Sequence, residues 1–218
     1  MKTYPITQEY NPLPSSSYMI KGLLFDLGGV VVFNHLNQQL EHFAKELKID
    51  LLELKALEEI EHEKMVLGKL SLKEFCSSIR NKFELEQDSA TLVLIWERIY
   101  QETSKLNGDV IRFIKEIKTK YKVGLISNIF DVTATFHQRQ KLFYFFKPVV
   151  LSCRRGIAKP DIKMYAVAIK EMELKGKEVL YVDDSEKHIK VAEEFGMKTI
   201  LFKDNVQFKK DIKKLKIK

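Results

Sequence analysis

From residue 107 to residue 202 the chain switches repeatedly between helical spacing and short apolar runs, and this alternation restricts the fold more than any other feature. The runs at 122–127, 148–152, 179–183 and 198–202 are apolar almost throughout. A strand of that kind must be covered on both faces, whereas a half-exposed strand alternates polar and apolar residues. The stretches between them, 109–120, 131–142, 161–173 and 185–195, have helical spacing. Helices between successive buried strands imply crossover connections, and hence a parallel sheet of the α/β class with helices on both faces.

A fifth run, 21–26, stands alone near the start and ends in Asp26-Leu27-Gly28-Gly29. Between it and the alternating region no strand pattern occurs. Instead, four apolar helix faces follow one another: Leu40, Phe43, Ala44 and Leu47; Leu51, Leu54, Leu57 and Ile60; Leu72, Phe75, Ile79 and Phe83; Leu92, Ile95, Trp96 and Ile99. Ser71 and Glu74 have capping-box spacing at the start of the third. The expected organisation is a tail over 1–19, a sheet domain made from 20–34 and 106–218, and a helical insert over 35–105. The insert is expected as a bundle over the sheet's edge.

In an open parallel sheet, the site lies beyond the carboxyl ends of the strands. The residues falling there are Asp26, Ser127-Asn128, Ser152 and Asp183-Asp184, with Lys159 in the loop after the fourth strand pattern. Three carboxylates at one edge repel one another unless a cation lies among them. Oxygen ligands favour a hard ion, with Mg²⁺ the expected one, since it commonly bridges to phosphate. Lysine and hydroxyl groups supply donors to phosphate oxygens. The turn after Asp26 and the helix after Ser127 add backbone N–H groups, with Gly29 a candidate substrate contact. Such a set suits phosphoryl transfer, with a carboxylate as nucleophile.

These residues carry a family resemblance. Phe25-Asp26-Leu27-Gly28-Gly29-Val30, Leu125-Ile126-Ser127-Asn128, Gly156-Ile157-Ala158-Lys159-Pro160-Asp161 and Val182-Asp183-Asp184-Ser185 resemble, in order, motifs I to IV of the haloacid dehalogenase (HAD) superfamily. Ala192 and Gly196 behind the last are similar too, and the likeness extends over about 20–205. It implies a Rossmann-like core with an inserted helical cap. It also implies Asp26 as nucleophile, Ser127 and Lys159 as phosphoryl-holding residues, and Asn128 as a substrate contact. Mg²⁺ would sit on Asp26, the Gly28 carbonyl and Asp184, with Asp183 binding it through water or holding Lys159. The implied activity is Mg²⁺-dependent hydrolysis of a small phosphomonoester, with sugar phosphates the first candidates, through an aspartyl-phosphate.

One position departs from the pattern. Phosphatases of this superfamily usually carry a second aspartate two residues after the nucleophile, as general acid and then base, where this chain has Gly28. The subset that resembles this chain, with Phe-Asp-Leu-Gly in motif I, includes sugar-phosphate phosphatases. Losing such a group costs ~10²–10⁴-fold in rate. Three readings follow: a substrate with a good leaving group, a proton from elsewhere such as His35, or a weak or inactive relative that binds a phospholigand or a partner. A metal-independent 2-haloacid dehalogenase also lacks that aspartate, but has no need of the Asp183-Asp184 pair. Arg154 and Arg155, just before motif III, are candidates for substrate contact or for plain solvation.

Charge and composition exclude other classes. Residues 203–218 hold seven lysines and two aspartates, so five of the seven net positive charges lie in the last sixteen residues. This is a basic end on a near-neutral domain rather than a basic groove for nucleic acid. Phe208, Ile212 and Leu215 give that end helical spacing with a solvated lysine face. The longest apolar runs fall well short of the ~20 residues needed to span a bilayer, so no membrane partner is expected. Two cysteines without metal-site spacing, and no apolar leader, suggest a cytoplasmic setting.

Overall fold

The computed structural model describes residues 19–218; the expected N-terminal tail, apart from Met19, lies outside the described residues. Strand β1 (Gly22–Phe25) is followed by the two-residue strand β2 (Val32–Phe33) and four helices, α1 (Leu36–Leu47), α2 (Leu51–Val66), α3 (Leu72–Lys82) and α4 (Ser89–Thr103). Strand β3 (Lys105–Leu106) pairs antiparallel with β2, so a short ribbon carries the chain into the helices and back. The alternating region then runs α5 (Gly108–Ile117), β4 (Lys122–Ser127), α6 (Asp131–Arg139), β5 (Val149–Leu151), α7 (Ser152–Arg155), α8 (Ile162–Met172), β6 (Val179–Asp183), α9 (Glu186–Glu194), β7 (Lys198–Leu201) and α10 (Asn205–Lys214).

The sheet order is β5-β4-β1-β6-β7, with every pairing parallel. Strand β1 lies at its centre and all four of its residues are buried. Its register places Phe25 level with Leu125 on one side and Val182 on the other. Asp26, Ile126-Ser127 and Asp183 therefore leave the sheet at one edge.

The sheet is covered on both faces, as the apolar runs require. On one face, Leu23, Phe25, Leu125 and Val182 join Ile111, Ile114, Phe208 and Ile212. On the other, Leu24, Ile126, Val150 and Tyr181 join Met164, Tyr165, Ala168 and Ala192. Helix α10 belongs to the first face. Phe208 packs edge-on against Phe25 and Phe113, while the lysines stay outward. The four inserted helices have an apolar cluster of their own, centred on Phe43, Leu54, Phe75 and Trp96. Phe130, Val132 and Ala158 from the sheet domain also pack into it. No helix among the described residues is long and apolar enough to cross a membrane.

Three of the inserted helices begin on side-chain caps. Asp50 accepts from Glu53 N, Asp88 accepts from Thr91 N, and Ser71 with Glu74 forms the full capping box. Where the spacing suggested one helix over 131–142, α6 ends at Arg139 and a single 3₁₀ turn follows over Leu142–Phe145. Lys141 between them has φ 59°, a left-handed conformation that no α-helix continues through. Ser152 also departs from the expected strand and starts the one-turn α7.

His137 on α6 is 5% exposed, and its Nε2 lies 2.6 Å from the Tyr100 hydroxyl of α4. Burial pulls its pKa down from 6.5 to about 4. The unfolded chain therefore takes up a proton on His137 before the folded one does. The associated stability is complete above pH 6.5 and is lost as pH falls towards 4. Urea unfolding at pH 7 and pH 4.5 should show a loss of up to about 3 kcal/mol from this residue, and His137→Phe should flatten that part of the acid limb. An unchanged acid limb in the variant would remove His137 as its cause.

Candidate active site

Asp26, Ser127-Asn128 and Asp183-Asp184 are placed by the ends of β1, β4 and β6, and Lys159 by the loop between α7 and α8. Asp26 follows β1, and its backbone N–H donates to Val182 O, which extends the sheet by one bond. Its Oδ1 accepts from Leu27 N at 2.7 Å. Lys159 reaches into the same space, with Nζ 2.8 Å from Asp26 Oδ1 and 2.7 Å from Asp183 Oδ2. The lysine side chain is 1% exposed and that of Asp183 is 0% exposed, so the three charges form a buried triad.

The Lys159 loop is fixed by a reciprocal pair of bonds. Asn128 Nδ2 donates to Lys159 O, and Lys159 N donates to Asn128 Oδ1, both at 2.8 Å. An asparagine is needed for this, because it offers one donor and one acceptor on the same face. Ser127 is buried beside it, with Oγ donating to Asn128 O at 3.3 Å. Ser152 is spent on structure, since its hydroxyl accepts Ile129 N at 3.0 Å. Arg154 bonds Gln138 and Arg155 pairs with Glu171, both at the surface. His35 is exposed at the N-cap of α1, in a shallow groove with Asn34 and Glu41.

Asp184 packs on the turn after Asp26. A Cβ built on Gly29, where φ is +74°, would lie 2.0 Å from Asp184 Oδ2. Only glycine admits the carboxylate there. Gly28 differs, since its φ is outside the left-handed range and its nearest neighbour in that direction is Asn34 Oδ1 at 3.3 Å. The place of the absent second aspartate is therefore bordered by an amide, which hydrogen-bonds without transferring a proton.

Two residues beyond the sequence candidates complete the site. Tyr181, on β6, donates to Asp183 Oδ2 and lies 3.3 Å from Lys159 Nζ. His188, in the first turn of α9, has Nδ1 3.1 Å from Asp183 Oδ1. Tyr181 lies two residues before Asp183 on one strand, so strand periodicity held the signal. His188 lay in the helix pattern after motif IV without any mark of its own.

The electrostatics separate the carboxylates. Burial alone would raise Asp183, but Lys159 and then His188 hold it well below the usual carboxylate range. Burial would likewise lower Lys159, yet Asp26 and Asp183 raise it, so the ammonium stays charged. Asp26 shares this one lysine. Burial, together with the Asp183 and Asp184 charges, outweighs Lys159 and raises Asp26 to about 7. Burial and Asp183 also raise Asp184.

This pattern tests whether the residues suit a divalent cation. Asp26, Asp183 and His188 form a compact group of possible ligand atoms, all within 4.8 Å of one another. However, Asp183 already accepts from Lys159, Tyr181 and Ser185 N, so a second cation there would face the ammonium. Asp26 and Asp184 are the two carboxylates left short of positive charge, and a cation between them would lower both pKa values. The donor set fits a hard ion at that pair.

Comparison with known proteins gives consistent findings. The family model for haloacid dehalogenase-like hydrolase matches residues 20–196. The D-ribitol-5-phosphate phosphatase of Bacteroides thetaiotaomicron is 23% identical over 206 residues, covering 89% of this chain and 97% of that relative. Bifunctional epoxide hydrolase 2 of Sus scrofa is 30% identical over 95 residues, which is 42% of this chain and 17% of that much longer relative. A HAD family enzyme of B. thetaiotaomicron, solved in complex with magnesium and inorganic phosphate, superposes with a TM-score of 0.70 at 23% identity, covering 85% of this chain and 96% of that one.

Proposed function

The chain belongs to the haloacid dehalogenase-like hydrolases, and from that premise we propose that it is a Mg²⁺-dependent phosphatase of small phosphomonoesters, sugar or polyol phosphates first among them. The observation that carries this is the division of charge at the sheet edge. Lys159 is shared between Asp26 and Asp183, while Asp184 sits on the Gly29 turn beside Asp26. Asp183 is thus saturated by the lysine and its other donors, while Asp26, which only shares the lysine, and Asp184 are left short of positive charge for a cation to supply.

In this reading Asp26 attacks phosphorus and forms an aspartyl-phosphate, which water then hydrolyses. Ser127 and Lys159 hold the phosphoryl oxygens, and backbone N–H groups around Gly29 and Asn128 assist them. Asp26, the Gly28 carbonyl and Asp184 would hold Mg²⁺. When bound, the ion offsets phosphoryl charge and lowers the Asp26 pKa into its nucleophilic form. Asp183 keeps Lys159 charged and in place. The helices over 35–105 act as the cap, excluding water and reading the leaving group. The two free thiols suit a reducing, cytoplasmic setting.

The test is phosphate release from p-nitrophenyl phosphate, D-ribitol 5-phosphate and a panel of sugar phosphates, with Mg²⁺ and with EDTA. Mg²⁺-dependent turnover of at least one substrate is expected. Gly28 is the observation that favours a second reading, a non-catalytic phospholigand binder. Phosphate binding without release from any substrate would establish that reading.

Gly29→Ala checks the placement of Asp184. The new Cβ must displace that carboxylate and strains a positive φ. The expected result is at least a tenfold rise in the Mg²⁺ concentration giving half-maximal rate. Chemical denaturation should show a stability loss of about 1–2 kcal/mol. A Mg²⁺ requirement identical to wild type would remove Asp184 from the metal site.

A further inference from the structure

The absent acid at Gly28 directs attention to the helical insert, where α2 carries a polar pair on its inward side. Glu58 is 8% exposed, a carboxylate buried on a helix whose other buried residues are Leu54, Met65 and Val66. Its Oε1 lies 2.5 Å from His62 Nδ1, one turn further on. A plain surface pair at i,i+4 has no reason to bury its acid. The His62 side chain is 46% exposed while that of Glu58 is 10% exposed, and because Nδ1 is the nitrogen that meets Glu58, Nε2 is the ring nitrogen that Glu58 leaves unengaged.

The surroundings place this pair against the loops that carry the candidate site residues. The His62 ring meets Phe130 edge-on, with centroids 5.6 Å apart. Phe130 is the N-cap of α6, two residues after Asn128. Ala158, next to Lys159, packs into the same apolar cluster as the buried face of α2. At the far end of α2, a Cβ on Gly68 would meet the backbone of Cys153 on α7. Helix α2 thus spans the two loops that deliver Ser127-Asn128 and Lys159. The hydrogen bond that His62 Nδ1 donates to Glu58 also raises the His62 pKa above its ordinary value, against the opposing effect of burial. Asp131, the charged neighbour of Phe130, accepts from Leu72 N and Val132 N.

We propose that His62, oriented by Glu58, supplies the proton to the leaving oxygen that Gly28 cannot supply. This deepens the phosphatase reading and rests on it. As Asp26 forms its bond to phosphorus, the ester P–O bond breaks. The leaving oxygen takes the Nε2 proton and departs as an alcohol. The neutral imidazole then accepts a proton from the water that attacks the aspartyl-phosphate. Inorganic phosphate leaves, Asp26 is restored, and His62 is again protonated. Glu58 fixes the tautomer that presents Nε2 and stabilises the imidazolium.

The experiment compares kcat/KM for an alkyl phosphate, D-ribitol 5-phosphate or the best substrate of the sugar-phosphate panel, with that for p-nitrophenyl phosphate. Nitrophenolate leaves without a strong acid, whereas an alkoxide does not. In His62→Gln the ratio of alkyl to aryl kcat/KM should fall about 10²-fold, and in Glu58→Gln by a smaller factor in the same direction. An equal loss on both substrates in His62→Gln would assign the pair a binding or structural role and overturn the proposal. So would a wild type that turns over p-nitrophenyl phosphate but no alkyl phosphate, although the phosphatase reading would survive. Wild type without turnover of any phosphate ester would remove both.

Discussion

Asp26→Asn should abolish turnover, by at least ~10⁴-fold, and should also stabilise the metal-free protein at alkaline pH. The first effect follows from the proposed role of Asp26 as nucleophile, for which an amide is no substitute. The second follows from the position of Asp26. Its pKa rises from 3.8 to about 7, because it is buried among other carboxylates and shares a single lysine. The folded state therefore holds that proton more tightly than the unfolded chain does. The stability gained this way is complete below pH 3.8 and is lost as pH rises through 7. At pH 8 the ionised Asp26 costs on the order of 2–4 kcal/mol, which Asn removes. A divalent cation removes the same cost in wild type. Mg²⁺ should thus raise the melting temperature of wild type at pH 8 and leave Asp26→Asn nearly unmoved. An equal Mg²⁺ shift in both proteins would mean that the ion binds away from Asp26. An active Asp26→Asn would end the aspartyl-phosphate mechanism itself.

The strands were readable because each is buried on both faces and so carries an unbroken apolar run. Residues 122–127 and 179–183 were placed to the residue. Helix ends were readable where a side chain caps them, as at Ser71, and were missed where the backbone alone decides, as at Lys141. Strands β2 and β3 left no pattern, since two residues cannot show a period. In the site, the edge rule brought together Asp26, Ser127, Lys159 and Asp183 without any knowledge of distance. It could not separate the roles of Asp183 and Asp184, because adjacent residues leave a strand in different directions only once the chain turns. The geometry separates them. Asp183 is saturated by Lys159, Tyr181 and Ser185, whereas Asp184 lies against Gly29. Residues such as His62 and Glu58 were illegible for a further reason. Charged pairs one turn apart are common on helices, and only the packing of α2 over the loops shows which way this pair faces.

Lys159→Met should be the most destabilising single change at this edge, and its partner variant should show why. Lys159 lies 2.8 Å from Asp26 and 2.7 Å from Asp183, with almost no exposed side chain. Methionine fills the volume and removes the charge, which leaves Asp183 ionised and fully buried without a cation. Breaking a buried pair in this way costs about 3–5 kcal/mol. The cost depends on pH in a definite direction. Lys159 holds the Asp183 pKa below its unfolded value, so the stabilisation is present above that value and is lost as pH falls through the folded one. The difference between wild type and Lys159→Met should therefore be large at pH 8 and shrink in acid, once Asp183 takes up a proton. Adding Asp183→Asn to Lys159→Met should recover most of the stability, because the uncompensated charge is gone. It should not recover turnover, because in the proposed mechanism the phosphoryl group still lacks the Lys159 ammonium, a loss of roughly 10³-fold or more. Stability and activity would then separate along one pair of residues. If Lys159→Met unfolds in urea within 1 kcal/mol of wild type at pH 8, the triad does not stabilise the fold. If the double variant regains activity together with stability, Lys159 serves only to neutralise Asp183, and the phosphoryl group is held by other donors.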